Sequence, residues 1–139
     1  MTIASDLLQR HIQTLVEDHA LWQTLIADDL VWELPYAPAT GHPARLSGRE
    51  EVVGFVTWFL GVMEHFRFFD LTVYACTDPD AAVAEVKAEA RIKPTGRLYR
   101  QEYVLFLRAA GGKIAFLREY FNPVRAAQAL DAPIRGLES

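Results

Sequence analysis

From Ala81 to Ile92 the chain reads AAVAEVKAEARI, in which Ala82, Ala84, Val86, Ala88, Ala90 and Ile92 alternate with Val83, Glu85, Lys87, Glu89 and Arg91. Successive side chains of a strand point to opposite faces, so this stretch is one long strand with an apolar side and a charged side. Turn signals bracket it: TDPD at 77–80 and KPTG at 93–96, followed by AAGG at 109–112. They separate four strand-like runs, FRFFDLTVYAC (66–76), residues 81–92, RLYRQEYVLFLR (97–108) and KIAFLREYF (113–121). The C-terminal half is therefore a meander of antiparallel strands.

Upstream the period changes. SDLLQRHIQTLVED (5–18) spaces Leu7, Leu8, Ile12, Leu15 and Val16 as a helix face, with Ser5 in N-cap position. A second short helix over 19–27 carries Trp22 and Leu25, and LVWELPYAP (30–38) reads as a strand stopped by Pro35 and Pro38. After a loop or weak strand, ATGHPARL, Ser47 stands as the cap of a helix to Leu60, with Glu50 three residues on. Asn122-Pro123 ends the last strand ahead of a short helix through Leu130. Helices segregated to one face of an antiparallel sheet make an α+β domain, and 139 residues make one such domain, 1–139.

The net charge of −4 arises without any run of like charges, which argues against a nucleic-acid footprint. Arg91, Lys93, Arg97 and Arg100 gather around one turn, but Glu89 and Glu102 are interleaved with them. The N-terminus lacks the basic flank and apolar run of a signal peptide, so the expectation is a soluble, cytoplasmic protein that inserts in no membrane. Cys76 is the one cysteine and reads as a small structural residue. His11, His19, His42 and His65 are scattered without a close-spaced ligand pair, so no metal and no cofactor is expected.

One acid stands out: Glu119, in LREYFNPV (117–124), lies among bulky apolar neighbours. With Gly111-Gly112 as a two-residue turn, Glu119 falls opposite Val104 with Glu102 diagonal to it; a four-residue loop puts it opposite Glu102. Either choice gathers Glu119, Glu102, Glu85, Lys87, Glu89 and Arg100 on one face. The other face then holds Ala84, Val86, Ala88, Tyr103, Leu105, Leu107, Ile114, Phe116 and Tyr120. Two readings follow from patterning. In one the charged face is wet and Glu119 pairs with Lys87 or Arg100; in the other it lines a partly dry cavity, and the apolar face is a dimer surface.

The order of elements, WELPYAP, the Ser-Gly-Arg-Glu helix start at 47–50, Gly112-Lys113-Ile114 and Arg118-Glu119-Tyr120-Phe121-Asn122-Pro123 together resemble the SnoaL-like branch of the ketosteroid-isomerase-like, nuclear-transport-factor-like superfamily. Within it the phenazine-biosynthesis A/B proteins look most alike, from Gly48 through Trp58, Leu60 and Thr77-Asp78-Asp80 to Ala129-Leu130 and Pro133. The resemblance implies a curved sheet wrapped into a cone by the N-terminal helices and a third helix. One apolar pocket would lie inside, and a homodimer would form through the outer sheet face. It also implies that Glu119 is an acid/base residue in that pocket, and so favours the cavity reading.

Departures accompany the likeness. The phenazine proteins carry a pocket histidine and serine where this chain has Phe55 and Phe59, and ketosteroid isomerase has its proton-shuttling aspartate where this chain has Leu34. An epoxide-hydrolase relative uses an Arg-x-Asp pair for which Lys87-x-Glu89 or Glu85-x-Lys87 is only a loose substitute.

The resulting expectation is a small-molecule enzyme for isomerisation, cyclisation or dehydration of an apolar or aromatic metabolite. Glu119 would be the general acid/base, tuned by Glu102, with Lys87 or Arg100 as charge partner. Trp22, Trp32, Leu34, Phe55, Trp58, Phe59 and Leu117 would form the pocket walls. The alternative, favoured by Phe55, Phe59 and Leu34, is a non-catalytic binding protein of the same fold. A dimeric scaffold whose pocket is filled by its own side chains is a third possibility.

Overall fold

The computed structural model describes residues 1–135. Four α-helices and six strands follow in the order α1 (Ile3–Thr14), α2 (His19–Leu25), β1 (Ile26–Glu33), β2 (Arg45–Ser47), α3 (Arg49–Val62), β3 (Met63–Ala75), β4 (Ala81–Ile92), β5 (Leu98–Ala110), β6 (Lys113–Tyr120) and α4 (Pro123–Leu130). A short 3-10 helix, Ala37–Thr40, lies between β1 and β2. The strands form one sheet in the order β2-β1-β6-β5-β4-β3. All neighbours are antiparallel except β1 and β6, which run parallel, so the sheet is mixed.

Three long strands give the sheet its reach, and irregularities give it curvature. In β3 the pairing with β4 shifts twice, between Glu64 and Arg67 and between Phe69 and Thr72. Each shift holds a non-glycine residue at positive φ, His65 (55°) and Asp70 (54°). Bulges bend a strand and increase its twist, so β3 and β4 coil instead of lying flat. The resulting unclosed cone is filled on its concave side by α1, α2 and α3.

The alternation in β4 is realised as the sequence predicts. Ala82, Ala84, Val86, Ala88, Ala90 and Ile92 are buried, and Glu85, Lys87 and Arg91 are exposed. Four alanines in this row leave room for α1, which crosses β3, β4 and β5 and buries Leu7, Leu8 and Ile12, with Leu15 buried at its C-cap. The apolar face therefore looks inward, under the helices, and the charged face outward. That reverses the cavity reading above, which put the charged face inside.

Two helix caps differ from expectation. Thr2, one turn upstream of the predicted cap, closes a capping box with Ser5 at the start of α1. Ser47 ends β2, and Gly48 (φ 88°) is the N-cap of α3, its N–H donating to the Leu30 carbonyl at 2.8 Å. Arg49 then anchors the helix start: Nε donates to Asp28 Oδ1 (2.9 Å), and its two other nitrogens donate to the carbonyls of Gln23 (2.8 Å) and Ile26 (2.6 Å). The Ser-Gly-Arg-Glu signature thus ties α3 to β1 and fixes the side of the cone that α3 covers.

At the other end, buried Gln101 holds the exit from β6. Its Nε2 donates to the Asn122 carbonyl (2.9 Å), and its Oε1 accepts from the Asn122 N–H (2.8 Å). Asn122 caps α4, accepting from the N–H groups of Val124 and Arg125, with Pro123 in the first turn. Helix α4 is thereby set against β5 and the 3-10 helix. No helix among the described residues is long and apolar enough to cross a membrane.

Candidate functional site

Strand β6 carries the feature that decides the site. Ala110 pairs with Lys113 and Ala109 with Ile114, as a two-residue turn requires, but the next partners are Arg108 and Phe116. Ala115 is an extra residue, and the shift inverts every side chain beyond it. Glu119 consequently pairs with Leu105, not Val104, and points to the concave side with Leu117. Phe116, Arg118 and Tyr120 turn outward, where Arg118 Nε meets Glu33 Oε1 at 2.9 Å.

The expected companions of Glu119 do not follow it inside. Glu102 and Lys87 are exposed cross-strand partners on the outer face, and Lys87 Nζ lies 3.6 Å from Asp70 Oδ2. Arg100, also exposed, is paired across the strands with Glu89. The straight-register assumption had grouped these residues with Glu119, and the bulge separates them.

Inside the cone lies a cavity open to solvent at its mouth; with that open solvent counted, the space free of protein atoms is about 830 Å³. Glu119 lies on its wall with Trp32 from β1, Leu34 just beyond the end of that strand, and Phe55, Trp58 and Phe59 from α3. The α3 residues recur at helical spacing and so share one face. Of the other expected wall residues, Trp22 and Leu117 are fully buried in the core behind that lining. The wall also contains Tyr99, Tyr103, Phe66, Phe68 and Phe121, and His42 stands 4.8 Å from Trp58, ring to ring. Tyr99 and Tyr103 share the parity of Leu105 and Leu107 in β5, which is how the sequence marks them once the apolar face is known to be the inner one. Ala126 and Leu130 of α4 complete the lining.

The electrostatics follow from enclosure. Glu119 is half-buried, and enclosure of its carboxyl pushes its pKa from 4.5 up to about 8, because burial penalises the charged form. The Tyr99 and Tyr103 hydroxyls are 2.9 Å apart. Burial raises the Tyr99 phenol to about 12 and that of Tyr103 well above its ordinary value, with negative charge on Glu119 adding to both. At neutral pH the wall thus presents a protonated carboxyl and two phenols. Such a set can donate a proton or hydrogen-bond a developing oxyanion, while the minor carboxylate fraction can accept a proton.

A second polar cluster supports the wall from behind. Trp22 Nε1–H donates to His11 Nδ1 (2.9 Å), which leaves the His11 proton on Nε2, and burial lowers the imidazole to about 4. Trp32 packs against both rings, at 5.7 Å from His11 and 6.5 Å from Trp22. Among the described residues no group of three or more His, Cys, Asp or Glu side chains is arranged to hold a metal ion.

Comparison with known proteins agrees with this architecture. The model of the SnoaL-like domain matches residues 8–117. A PhzA/B-like protein of Pseudomonas aeruginosa, PA3332, is 34% identical over 111 residues, covering 78% of this chain and 76% of that protein. Among solved structures, a phenazine biosynthesis-related protein, PhzB2 of P. aeruginosa, superposes with a TM-score of 0.81 at 19% identity, over 99% of this chain and 90% of that one. Mycobacterium tuberculosis Rv0760c, solved in complex with estradiol-17β-hemisuccinate, gives 0.75 at 19% identity, over 88% and 95%. The two structures show a shared fold; the domain match and the PA3332 identity go further. This chain belongs to the SnoaL-like domain family.

Proposed function

We propose that the protein is a small-molecule enzyme that moves protons on an apolar ligand held in the cone. Glu119 is the general acid/base, and the Tyr99–Tyr103 hydroxyl pair stabilises negative charge that develops on a ligand oxygen. The observation that carries this reading is a carboxyl raised to about 8 on the wall of an otherwise aromatic cavity. A structural carboxylate gains nothing from such a place, whereas a proton-transfer group works best with a pKa near the ambient pH. The flat ring system bound by Rv0760c fits a ligand of this shape class.

Exchange of carbon-bound hydrogen tests the proposal without knowledge of the natural substrate. β-Tetralone in heavy water, followed by proton NMR, is expected to lose its acidic methylene protons faster with the protein than without it. Because the base is the carboxylate, the catalysed rate should climb about tenfold per pH unit and level off near pH 8. Glu119→Gln should lower it by about 10²–10⁴. Catalysed exchange that survives in that variant removes Glu119 from the role.

The non-catalytic binding reading draws on Phe55, Phe59 and Leu34, which make the remaining wall apolar. It predicts ligand binding, no catalysed exchange, and affinity unchanged by Glu119→Gln.

A second copy of the chain is the proposed partner of the outer sheet face. There Val104 and Tyr120 are exposed beside half-buried Phe106 and Phe116. Light scattering after size exclusion should give twice the chain mass, and Val104→Arg should halve it. A wild-type monomer would refute this partner.

A further inference from the structure

The indole N–H of Trp32 has no acceptor among the described residues. Trp32 is 3% exposed, lines the cavity, and its Nε1 is buried without a hydrogen-bond partner. A buried N–H left unpaired costs about 1–3 kcal/mol, so native structures seldom keep one without a use. The neighbouring tryptophan shows the contrast: Trp22, at the same depth, spends its N–H on His11. His11 Nδ1 is thereby occupied and cannot serve Trp32. Packing of Trp32 against both rings also fixes the orientation of its indole.

The position matters as well. Trp32 pairs with Leu117 across the parallel β1–β6 ladder, and Glu119 lies two residues further along the same face of β6. Trp32 and Glu119 are thus diagonal neighbours on one wall. The other polar lining groups differ. One hydroxyl of the Tyr99–Tyr103 pair donates to the other and leaves a single O–H free, Thr40 Oγ1 donates to the Ala37 carbonyl (3.1 Å), and His42, also on the lining, stands among the aromatic rings of α3.

We infer that Trp32 Nε1–H is a ligand-positioning donor that selects molecules with a hydrogen-bond-accepting oxygen, such as a ring ketone, over hydrocarbons of the same shape. The inference rests on the cavity being the ligand site, as in the proposed function, but not on Glu119 being catalytic. Trp32 holds the ligand oxygen while the adjacent carbon or oxygen of the ligand faces Glu119.

Two probes of matched shape test it, methyl naphthyl ketone and isopropenylnaphthalene, added to the ¹⁵N-labelled full chain. The indole signal of Trp32, assigned by its loss in Trp32→Phe, should move downfield with the ketone and stay near its place with the hydrocarbon. Calorimetry should show the ketone favoured in the wild type and that preference reduced about tenfold in Trp32→Phe, the equivalent of one hydrogen bond. The wild-type indole signal serves as readout even if the variant folds poorly. Equal affinity for both probes with an unmoved indole signal overturns the inference and leaves Glu119 untouched. Whether the wild type catalyses exchange, and whether exchange survives in Glu119→Gln, bears on the enzyme proposal alone. A cavity that takes neither probe overturns the inference together with the ligand site.

Discussion

Glu119→Gln stabilises the folded protein at alkaline pH, on the order of 4–5 kcal/mol above the wild type beyond pH 8, and leaves it nearly unchanged below pH 4.5. The native carboxyl holds its proton up to about pH 8, whereas the unfolded chain releases it near 4.5. Between those values the native state binds one proton more than the unfolded state. Raising the pH therefore favours unfolding by about 1.4 kcal/mol per unit, and the contribution of the protonated acid is gone above pH 8. A glutamine side chain is neutral at every pH and has no such loss. His11 acts with the opposite sign. Its native pKa of about 4 lies below the ordinary 6.5, so its contribution is present above pH 6.5 and is lost as the pH falls toward 4. The two effects nearly cancel between pH 4.5 and 6.5. Wild-type stability from these groups is thus flat there and declines from 6.5 to 8. Urea midpoints across this range are the measurement, and a Glu119→Gln midpoint no higher than wild type at about pH 9 contradicts the assignment.

Deleting Ala115 abolishes the native fold. Without the extra residue the β5–β6 ladder continues from the turn in plain register, and every side chain from Phe116 to Tyr120 changes face. Leu117, with no exposed surface, would turn to solvent, and Arg118 would enter the core without Glu33. Burying an unpaired guanidinium costs several kcal/mol, and exposing Leu117 about 2 kcal/mol more. Together these approach the roughly 5–15 kcal/mol total stability of a domain. Ala115→Ser keeps the residue count and is expected to remain folded, with a denaturation midpoint close to wild type. Soluble, cooperatively folding protein from the deletion would show that the strand re-registers without penalty.

That bulge also marks where the sequence stops being legible. Four strands, their turns, the helix faces and the α+β class are written in periods of two and 3.6 residues, and β4 states its two faces without ambiguity. What pattern alone leaves open is which face is inside, since small alanines and charges alternate in either case. The resemblance to a cone fold implies the cavity, and plain register in β6 carries the charged face into it together with Glu119. Nothing in Lys113-Ile114-Ala115-Phe116 distinguishes a bulge from plain strand, and one residue of slip reassigns Glu102, Lys87 and Arg100 to the outside. Trp32, Leu34, Phe55, Trp58 and Phe59 are legible because the irregularity of β1 lies upstream of them, between Ile26 and Val31, and the helical spacing of α3 fixes its face. Tyr99 and Tyr103 share the parity of the apolar face, so placing that face outside leaves both of them out of the site. The parallel pairing of β1 with β6 is a long-range contact that no local pattern encodes.

The central claim is that Glu119 is a proton-holding acid inside the cone. Carbon-13 NMR titration of glutamate side-chain carboxyls, with the Glu119 signal assigned by its absence in Glu119→Gln, tests it most directly. A titration midpoint near pH 8 is expected. A midpoint near 4.5, the ordinary value of a solvated glutamate, would contradict it.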